Sequence, residues 1–214
     1  MKNILFLILF LSSILAFGQE EKEGILMDSI PKNKAEMKMG IRLSPSLNFF
    51  DYGDLSFGQI ASDSKFGTAL GMVFDWKVTE WNRLRLEPYL EYQKVANNSI
   101  NPDITAITTF NNFILGVDAV PVVLTYGGKI KGQISLGGFA KYYLSSSQET
   151  TLDGSPVSNF EVETNSLQYG FTYGVGAYIG KRLVELRYYQ SLNDFVNDPV
   201  ISNSINQVQL ILVY

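Results

Sequence analysis

The stretch Leu167–Ile179 reads LQYGFTYGVGAYI and decides the fold class of this chain. Its odd-numbered positions all carry apolar or aromatic side chains, whereas the even-numbered positions 168 to 176 carry only Gln, Thr and Gly. A repeat of two residues places successive side chains on opposite faces of a β-strand. The stretch therefore predicts a strand with one bulky apolar face and one small, polar face.

Seven other stretches alternate in the same way, so the chain is predicted to be all-β with eight antiparallel strands. The predicted strands are Met37–Phe50, Lys65–Val78, Leu84–Val95, Asn111–Thr125, Ile130–Ser145, Leu167–Ile179, Leu183–Leu192 and Ile205–Tyr214. The fourth is the least regular, because Asp118 and Pro121 interrupt its phase. We expect a β-bulge there, and the facing of this strand stays open.

The predicted connections alternate between long and short along the chain. Their lengths are 14, 5, 15, 4, 20, 3 and 12 residues, at 51–64, 79–83, 96–110, 126–129, 146–165, 180–182 and 193–204. This pattern is typical of an eight-stranded up-and-down transmembrane β-barrel, with tight turns on the periplasmic side and long loops outside. The long connections are rich in Asn, Ser, Asp, Gly and Pro, which predicts solvated loops.

The chain before the first strand divides into two segments. Residues 1–18 combine Lys2, an apolar run from Ile4 to Leu15 and the small-x-small triplet at 16–18, which predicts a cleaved signal peptide. A transmembrane anchor is the alternative, but the run is too short, since a spanning helix needs about 20 apolar residues. Residues 19–36 are charged and unpatterned and predict a flexible periplasmic segment before a barrel domain at 37–214.

The size of the side chains indicates which face of the strands points inward. Phe74, Trp76 and Phe171 lie on the apolar faces and are too bulky to fill an eight-stranded interior, whereas glycines concentrate on the polar faces. The apolar faces are therefore predicted to contact lipid, in the outer membrane of a Gram-negative bacterium with both termini in the periplasm. A soluble lipocalin-like carrier, which has an apolar interior, is the alternative.

Charged residues on the polar faces are predicted to line the barrel interior. Because buried charges must be paired, we expect them to form ion pairs that close a narrow lumen. We expect Glu87 and Glu91 to pair with Arg85, Arg42 or Arg187. The candidate lumen network comprises Arg42, Asp75, Lys77, Arg85, Glu87, Glu91, Lys141, Glu185 and Arg187.

Aromatic residues near the strand ends predict contacts with the membrane interfaces. Trp76, Trp81, Tyr126 and Tyr142 are expected to form interfacial girdles. Tyr214 ends the last alternating strand and fits the terminal signal of outer-membrane barrels. We therefore expect the barrel-assembly machinery to recognise the C-terminal strand.

Composition excludes several classes of function. The chain of 214 residues has no Cys and no His, which removes thiol nucleophiles, thiolate metal sites and most general-base and zinc chemistry. Its net charge of −4 argues against nucleic-acid binding. We expect no catalytic, metal or cofactor site, and therefore a protein that is not an enzyme.

Seven segments resemble the PorT-like outer-membrane β-barrel proteins of Bacteroidetes-type bacteria. They are Met39–Asn48 (MGIRLSPSLN), Leu86–Tyr92 (LEPYLEY), Val120–Leu124 (VPVVL) with Gly137–Tyr142 (GGFAKY), Tyr169–Tyr178 (YGFTYGVGAY), and Glu185–Tyr188 with Ser191–Asn193. The chain departs from the family where an acid often precedes the fourth-strand proline by two residues, because Ala119 stands there. The resemblance implies an outer-membrane barrel and, for a few members, a part in type IX secretion.

Two functions follow from these expectations. The first is a small, closed barrel with a structural or protein-interaction role, secretion or envelope related, whose partners are outer-membrane lipid and other envelope proteins. The alternative is a narrow porin-like channel or a lateral route for small or apolar solutes. Gly170, Gly174 and Gly176 would favour the alternative if they left a gap in the lumen lining.

Overall fold

The computed structural model describes residues 37–51, 59–79, 82–101, 104–127, 131–157, 164–196 and 203–214. The predicted signal peptide at 1–18 and the segment 19–36 lie outside these residues, and both stay predictions. Within the described ranges, no helix is long and apolar enough to cross a membrane.

The described part of the chain contains ten β-strands. They are β1 (Met37–Asp51), β2 (Gln59–Asp63), β3 (Lys65–Lys77), β4 (Asn82–Asn101), β5 (Ile104–Gly127), β6 (Lys131–Leu152), β7 (Ser155–Val157), β8 (Leu167–Ile179), β9 (Arg182–Ser191) and β10 (Ser204–Val213).

Eight of these strands close into a ring, so the predicted eight-stranded antiparallel up-and-down barrel is confirmed. Their order is β1, β3, β4, β5, β6, β8, β9 and β10, and β10 pairs back to β1. At the closing seam, Ile41 and Tyr214 exchange two backbone hydrogen bonds of 3.1 and 3.0 Å. Because a closed ring has no edge strand, the ladder hydrogen bonds continue around the whole sheet.

The strands are longer at one end than the alternation predicts. β4 continues to Asn101, β5 begins at Ile104 and β6 continues to Leu152, so much of the predicted loops 96–110 and 146–165 is strand. The short strands β2 and β7 pair with β4 and β6 in the same region. These segments are rich in Asn, Ser, Thr and Gln, and apolar residues such as Ile104, Ile107 and Phe110 fall at both even and odd positions. The repeat of two is therefore lost, and the prediction of loops there was wrong.

The irregular strand β5 contains the expected bulge. Its pairing with β6 shifts register between Ala119 and Val122, so the bulge is confirmed. Asp118, before the shift, and Val120, within it, are buried in the interior, and the next buried position is Val123. Pro121 lies at the shift, where its missing N–H interrupts the ladder least.

An apolar cluster fills the interior at the end with the long connections. Its members are Phe50, Val95, Phe110, Ile114, Tyr143, Phe195 and Ile205. Phe195 comes from the β9–β10 connection, and its ring lies 5.3 Å from that of Phe110 and 5.2 Å from that of Tyr143, between centroids. Backbone hydrogen bonds of 2.7 Å from Phe195 to Asn203 and from Asn165 to Phe195 hold it there. Phe195 therefore covers this end of the interior.

The outer surface of the barrel is apolar. Leu70, Phe171 and Leu186 are each more than half exposed, although they belong to regular strands. Of the predicted girdle residues, Tyr126 is 88% exposed at the end with the short turns, Tyr142 is exposed towards the other end, and Trp76 is partly buried. Trp81 lies outside the described residues.

Replacing Phe195 with Ala tests the apolar cluster. The substitution removes a fully buried ring and should lower the free energy of unfolding by about 3 kcal/mol, because it leaves a cavity. The measurement is a urea titration followed by circular dichroism. Phe66→Ala is the matched control, since Phe66 is 77% exposed, and it should cost about 1 kcal/mol or less. Equal losses for the two variants would contradict the role of Phe195.

Candidate functional site

Glycines on the inner face make room for large polar side chains. Gly71 pairs across the strands with Arg42, and Gly174 pairs with Arg187. A Cβ at Gly116 would overlap the ring of Tyr89. Each of these large side chains therefore lies beside or across a position without a side chain, which lets a narrow barrel hold them.

The gap that would have favoured a channel is not formed. A Cβ at Gly174 would meet the carboxylate of Glu185, and one at Gly176 would lie 2.9 Å from the Cβ of Glu185. A Cβ at Gly170 would lie 2.8 Å from the ring of Phe139. These three glycines therefore do not supply the gap on which the channel alternative depended, because neighbouring backbone and side-chain atoms already occupy the space.

Four fully buried charged residues form the centre of the interior. Arg42 Nη1 lies 2.7 Å from Glu87 Oε2 and 2.7 Å from Asp118 Oδ2. Arg187 lies 2.9 Å from Glu87 Oε1 through Nη2 and 2.9 Å from Asp118 Oδ2 through Nη1. Each carboxylate thus bridges two guanidinium groups, and the four charges cancel. We call these four residues the central cluster.

Neutral side chains add further hydrogen bonds to the central cluster. The hydroxyl of Tyr189 donates to Asp118 Oδ2 at 2.5 Å. Arg42 Nη2 donates to the same hydroxyl at 2.8 Å and to Gln209 Oε1 at 2.5 Å. The guanidinium of Arg42 also lies 4.4 Å from the ring centroid of Tyr89, within the range of a cation–π contact.

A second layer of ion pairs lies towards the short turns. Glu185 accepts hydrogen bonds from Arg187 Nε at 2.8 Å and from Arg85 Nη1 at 3.1 Å. Asp75 lies 2.6 Å from Arg83 Nε and 3.6 Å from Arg85 Nη2. This layer joins the central cluster to the rim of the barrel.

A third layer lies towards the long connections. Lys141 Nζ lies 3.0 Å from Glu91 Oε2 and donates to Gln207 Oε1 at 2.6 Å. The amide nitrogen of Gln207 donates to Asn48 at 2.6 Å and also to Glu91. Above this layer begins the apolar cluster that contains Phe195.

The structure brings together eight of the nine predicted lumen residues. Lys77 is the exception: it is exposed at the last position of β3, where the strand has passed the rim of the interior. Glu91 has a different partner from those expected, because Lys141 on β6 reaches it and the arginines pair with other carboxylates. The eight enclosed residues are Arg42, Asp75, Arg85, Glu87, Glu91, Lys141, Glu185 and Arg187.

Two charged residues of the interior ion pairs, Asp118 and Arg83, were not among the predicted lumen residues. Asp118 is an even-numbered residue, like Asn112 and Gly116. Because the alternation is regular between Asn112 and the bulge, Asp118 points inward with them. Arg83 lies at a register shift in β4 and pairs with Asp75 near the short turns, at the end of the interior where Lys77 was expected. With these changes, the ion pairs inside the barrel involve five carboxylates and five cations among the described residues, and Arg83 is the one cation that is only partly buried.

Most polar atoms of the described interior bond to one another, and the buried exceptions include Asp118 Oδ1, Arg85 Nε and the hydroxyl of Tyr89. The described ranges contain no group of three or more carboxylates placed to hold a metal ion. The charged groups of the central cluster contact each other and neighbouring Tyr and Gln side chains. The chemical effect of this geometry is that ion-paired and hydrogen-bonded side chains of balanced charge fill the interior of the barrel.

Glu87→Gln tests the importance of the central cluster. The substitution leaves Arg42 and Arg187 short of one negative charge in a buried site, so we expect the free energy of unfolding to fall by about 3–5 kcal/mol. A urea titration measures the loss. Glu149→Gln removes an exposed carboxylate and should change the value by less than about 0.5 kcal/mol. A similarly small effect of Glu87→Gln would contradict the dependence of the fold on this cluster.

Comparison with known proteins adds similarities of overall structure. No protein-family model matches the chain, and no curated protein sequence matches it. Neisserial surface protein A has a TM-score of 0.43 at 12% identity, over 83% of this chain and 96% of that chain. The outer membrane protein OprG from Pseudomonas aeruginosa has a TM-score of 0.41 at 11% identity, over 84% and 95%. The outer membrane enzyme PagL has a TM-score of 0.34 at 15% identity, over 80% and 97%.

Proposed function

We propose that this chain is a Gram-negative outer-membrane β-barrel with a closed interior and a structural or protein-interaction role in the cell envelope. The observation that carries the proposal is the filled interior, in which the central cluster bridges β1, β4, β5 and β9. A barrel packed in this way holds its shape without offering a route for solutes.

The distribution of polar and apolar side chains supports the membrane location. The interior holds buried Arg, Glu, Asp and Gln side chains, whereas Leu, Phe, Met and Val side chains are exposed outside. A soluble barrel requires the reverse, because exposed apolar surface of this extent is unfavourable in water. In a bilayer the same surface contacts hydrocarbon, and the closed ring leaves no unpaired edge.

The sheet beyond the barrel supports the interaction role. β4, β5 and β6 continue past the apolar cluster, flanked by β2 and β7, and give five strands in the order β2, β4, β5, β6, β7. Thr108 and Thr150 face each other there, with 3.3 Å between their hydroxyl oxygens. An ordered polar sheet offers a partner a defined surface at little cost in conformational entropy.

The family, orientation and biogenesis belong to the same proposal. The PorT-like motifs support membership of that family and a part in envelope assembly or secretion. The short turns would face the periplasm, with both termini on that side. The C-terminal strand, whose Tyr214 closes the ring against Ile41, would be the segment that the barrel-assembly machinery recognises.

Conductance in planar bilayers tests the closed interior. We expect no stable conductance steps from the purified mature protein, because three layers of ion-paired and hydrogen-bonded side chains cross its interior. Phe195→Ala should be equally silent, since it removes only the apolar cover and leaves the ion pairs in place. Large, stable steps from the unmodified protein would contradict the proposal and favour a channel.

Site-specific photocrosslinking in the native outer membrane tests the interaction role. A benzophenone amino acid at Glu149, which is exposed on the extended part of β6, should give an adduct of discrete mass with another envelope protein. The same amino acid at Tyr126, on the opposite end of the barrel, is the control and should give no protein adduct. Recovery of only the uncrosslinked monomer from both positions would contradict an interaction through this sheet.

A further inference from the structure

The two ends of the barrel carry opposite charge. Of the described residues at the short-turn end, six are basic, and the one carboxylate there, Asp75, already pairs with Arg83. We call these six residues the basic rim: Lys38, Lys77, Arg83, Lys131, Lys181 and Arg182.

The described residues at the opposite end are mainly acidic. They include five carboxylates and two lysines: Asp51, Asp63, Glu149, Asp153 and Asp194, with Lys65 and Lys94. The sequence of the remaining connections strengthens the contrast, since the long ones add five acids and no base. The short ones add Glu80 and Lys129, whose charges cancel. Because the interior is close to neutral, the charge difference between the ends is not compensated inside the barrel.

The basic rim extends around the barrel and does not form a single patch. Its residues come from β1, β3, β4, β6, β9 and the turn between β8 and β9. All except the partly buried Arg83 are exposed. A single protein partner covers one side of a molecule, whereas a circle of cations matches a plane of anions that surrounds it.

The basic rim lies at the level where the outer apolar surface ends. Lys77 follows Trp76 in β3 and precedes Val78, which is 59% exposed. The guanidinium of Arg182 lies 5.3 Å from the ring centroid of Tyr214, an exposed aromatic residue. Aromatic rings and long basic side chains at the edge of an apolar belt are typical of the headgroup region of a bilayer.

We propose that the basic rim binds the anionic headgroups of phospholipids in the leaflet at the short-turn end of the barrel. This inference rests on the proposed membrane location. Lysine and arginine side chains at this level attract anionic lipid, and neighbouring rim charges act together within a Debye length of about 8–10 Å. The opposite, acidic end lacks this attraction, so the charge difference would also favour one orientation of the barrel in an asymmetric membrane.

Tryptophan fluorescence gives a direct test, because the two Trp residues of the chain are Trp76 and Trp81, in and next to the β3–β4 turn. The mature protein is folded into neutral phosphatidylcholine vesicles that contain a minor fraction of lipid brominated near the headgroup end of one acyl chain. Brominated phosphatidylglycerol is compared with brominated phosphatidylcholine. We expect about a fivefold preference for the anionic lipid near Trp76, reduced by salt.

A matched pair of double variants locates the effect. Lys38→Gln with Lys77→Gln removes two rim charges near Trp76 and should bring the lipid preference close to one. Lys65→Gln with Lys94→Gln removes two charges at the other end, where Lys65 begins the same strand that Lys77 ends, and should leave the preference unchanged.

The outcomes separate this inference from the proposed function. A folded barrel that is quenched equally by both brominated lipids, or a preference that survives in the rim variant, would overturn the role of the basic rim. A mature protein that does not fold into neutral vesicles and is not quenched by brominated phosphatidylcholine would instead contradict the membrane location itself.

Discussion

The central cluster of Arg42, Glu87, Asp118 and Arg187 is the constraint on which the rest of the barrel depends. Moving an unpaired charge from water into a protein interior costs several kcal/mol, and the four side chains avoid that cost only by facing one another. Their strands must therefore close into one ring of small diameter. The glycines beside them, the tyrosines and glutamines that complete their hydrogen bonds and the apolar cover at one end all follow from holding these charges together.

The same constraint couples closure of the barrel to its stability. Arg42 lies on β1, whereas its carboxylate partners lie on β4 and β5, and Arg187 reaches those carboxylates from β9. None of these four ion pairs joins neighbouring strands of the ring. An unclosed sheet would leave the charges apart and exposed to water, so the full gain arrives only with the closed barrel, which makes assembly cooperative.

The alternation of residues was sufficient to predict the barrel and most of its enclosed charges, because parity alone sends Arg42, Glu87 and Glu185 to the same side of the sheet. Parity does not say where the interior ends, and Lys77 shows the consequence: it has the inward phase but lies beyond the rim. Parity also does not predict which charges pair with each other. Lys141 reaches Glu91 because the stagger of β4 and β6 brings the two side chains to the same level, and that stagger cannot be read from the alternation. The extended ends of β4, β5 and β6 were not predicted because their few apolar residues, such as Ile104 and Ile107, fall at both parities among polar ones and leave no repeat of two.

Under the proposed membrane location, an ionic interior would also let one sequence be compatible first with water and then with lipid. If both faces of the strands were apolar, the chain would be strongly hydrophobic along its whole length and prone to aggregation before insertion. Alternating charged and apolar residues instead give a mean hydropathy of +0.05, close to that of a soluble protein. Closure then separates the two sets, with the charges neutralised inside and the apolar side chains outside. The cost of this solution is a lumen filled by its own ion pairs. In the proposed membrane role, the property that keeps the unfolded chain soluble in water would also be the one that keeps solutes from crossing the barrel.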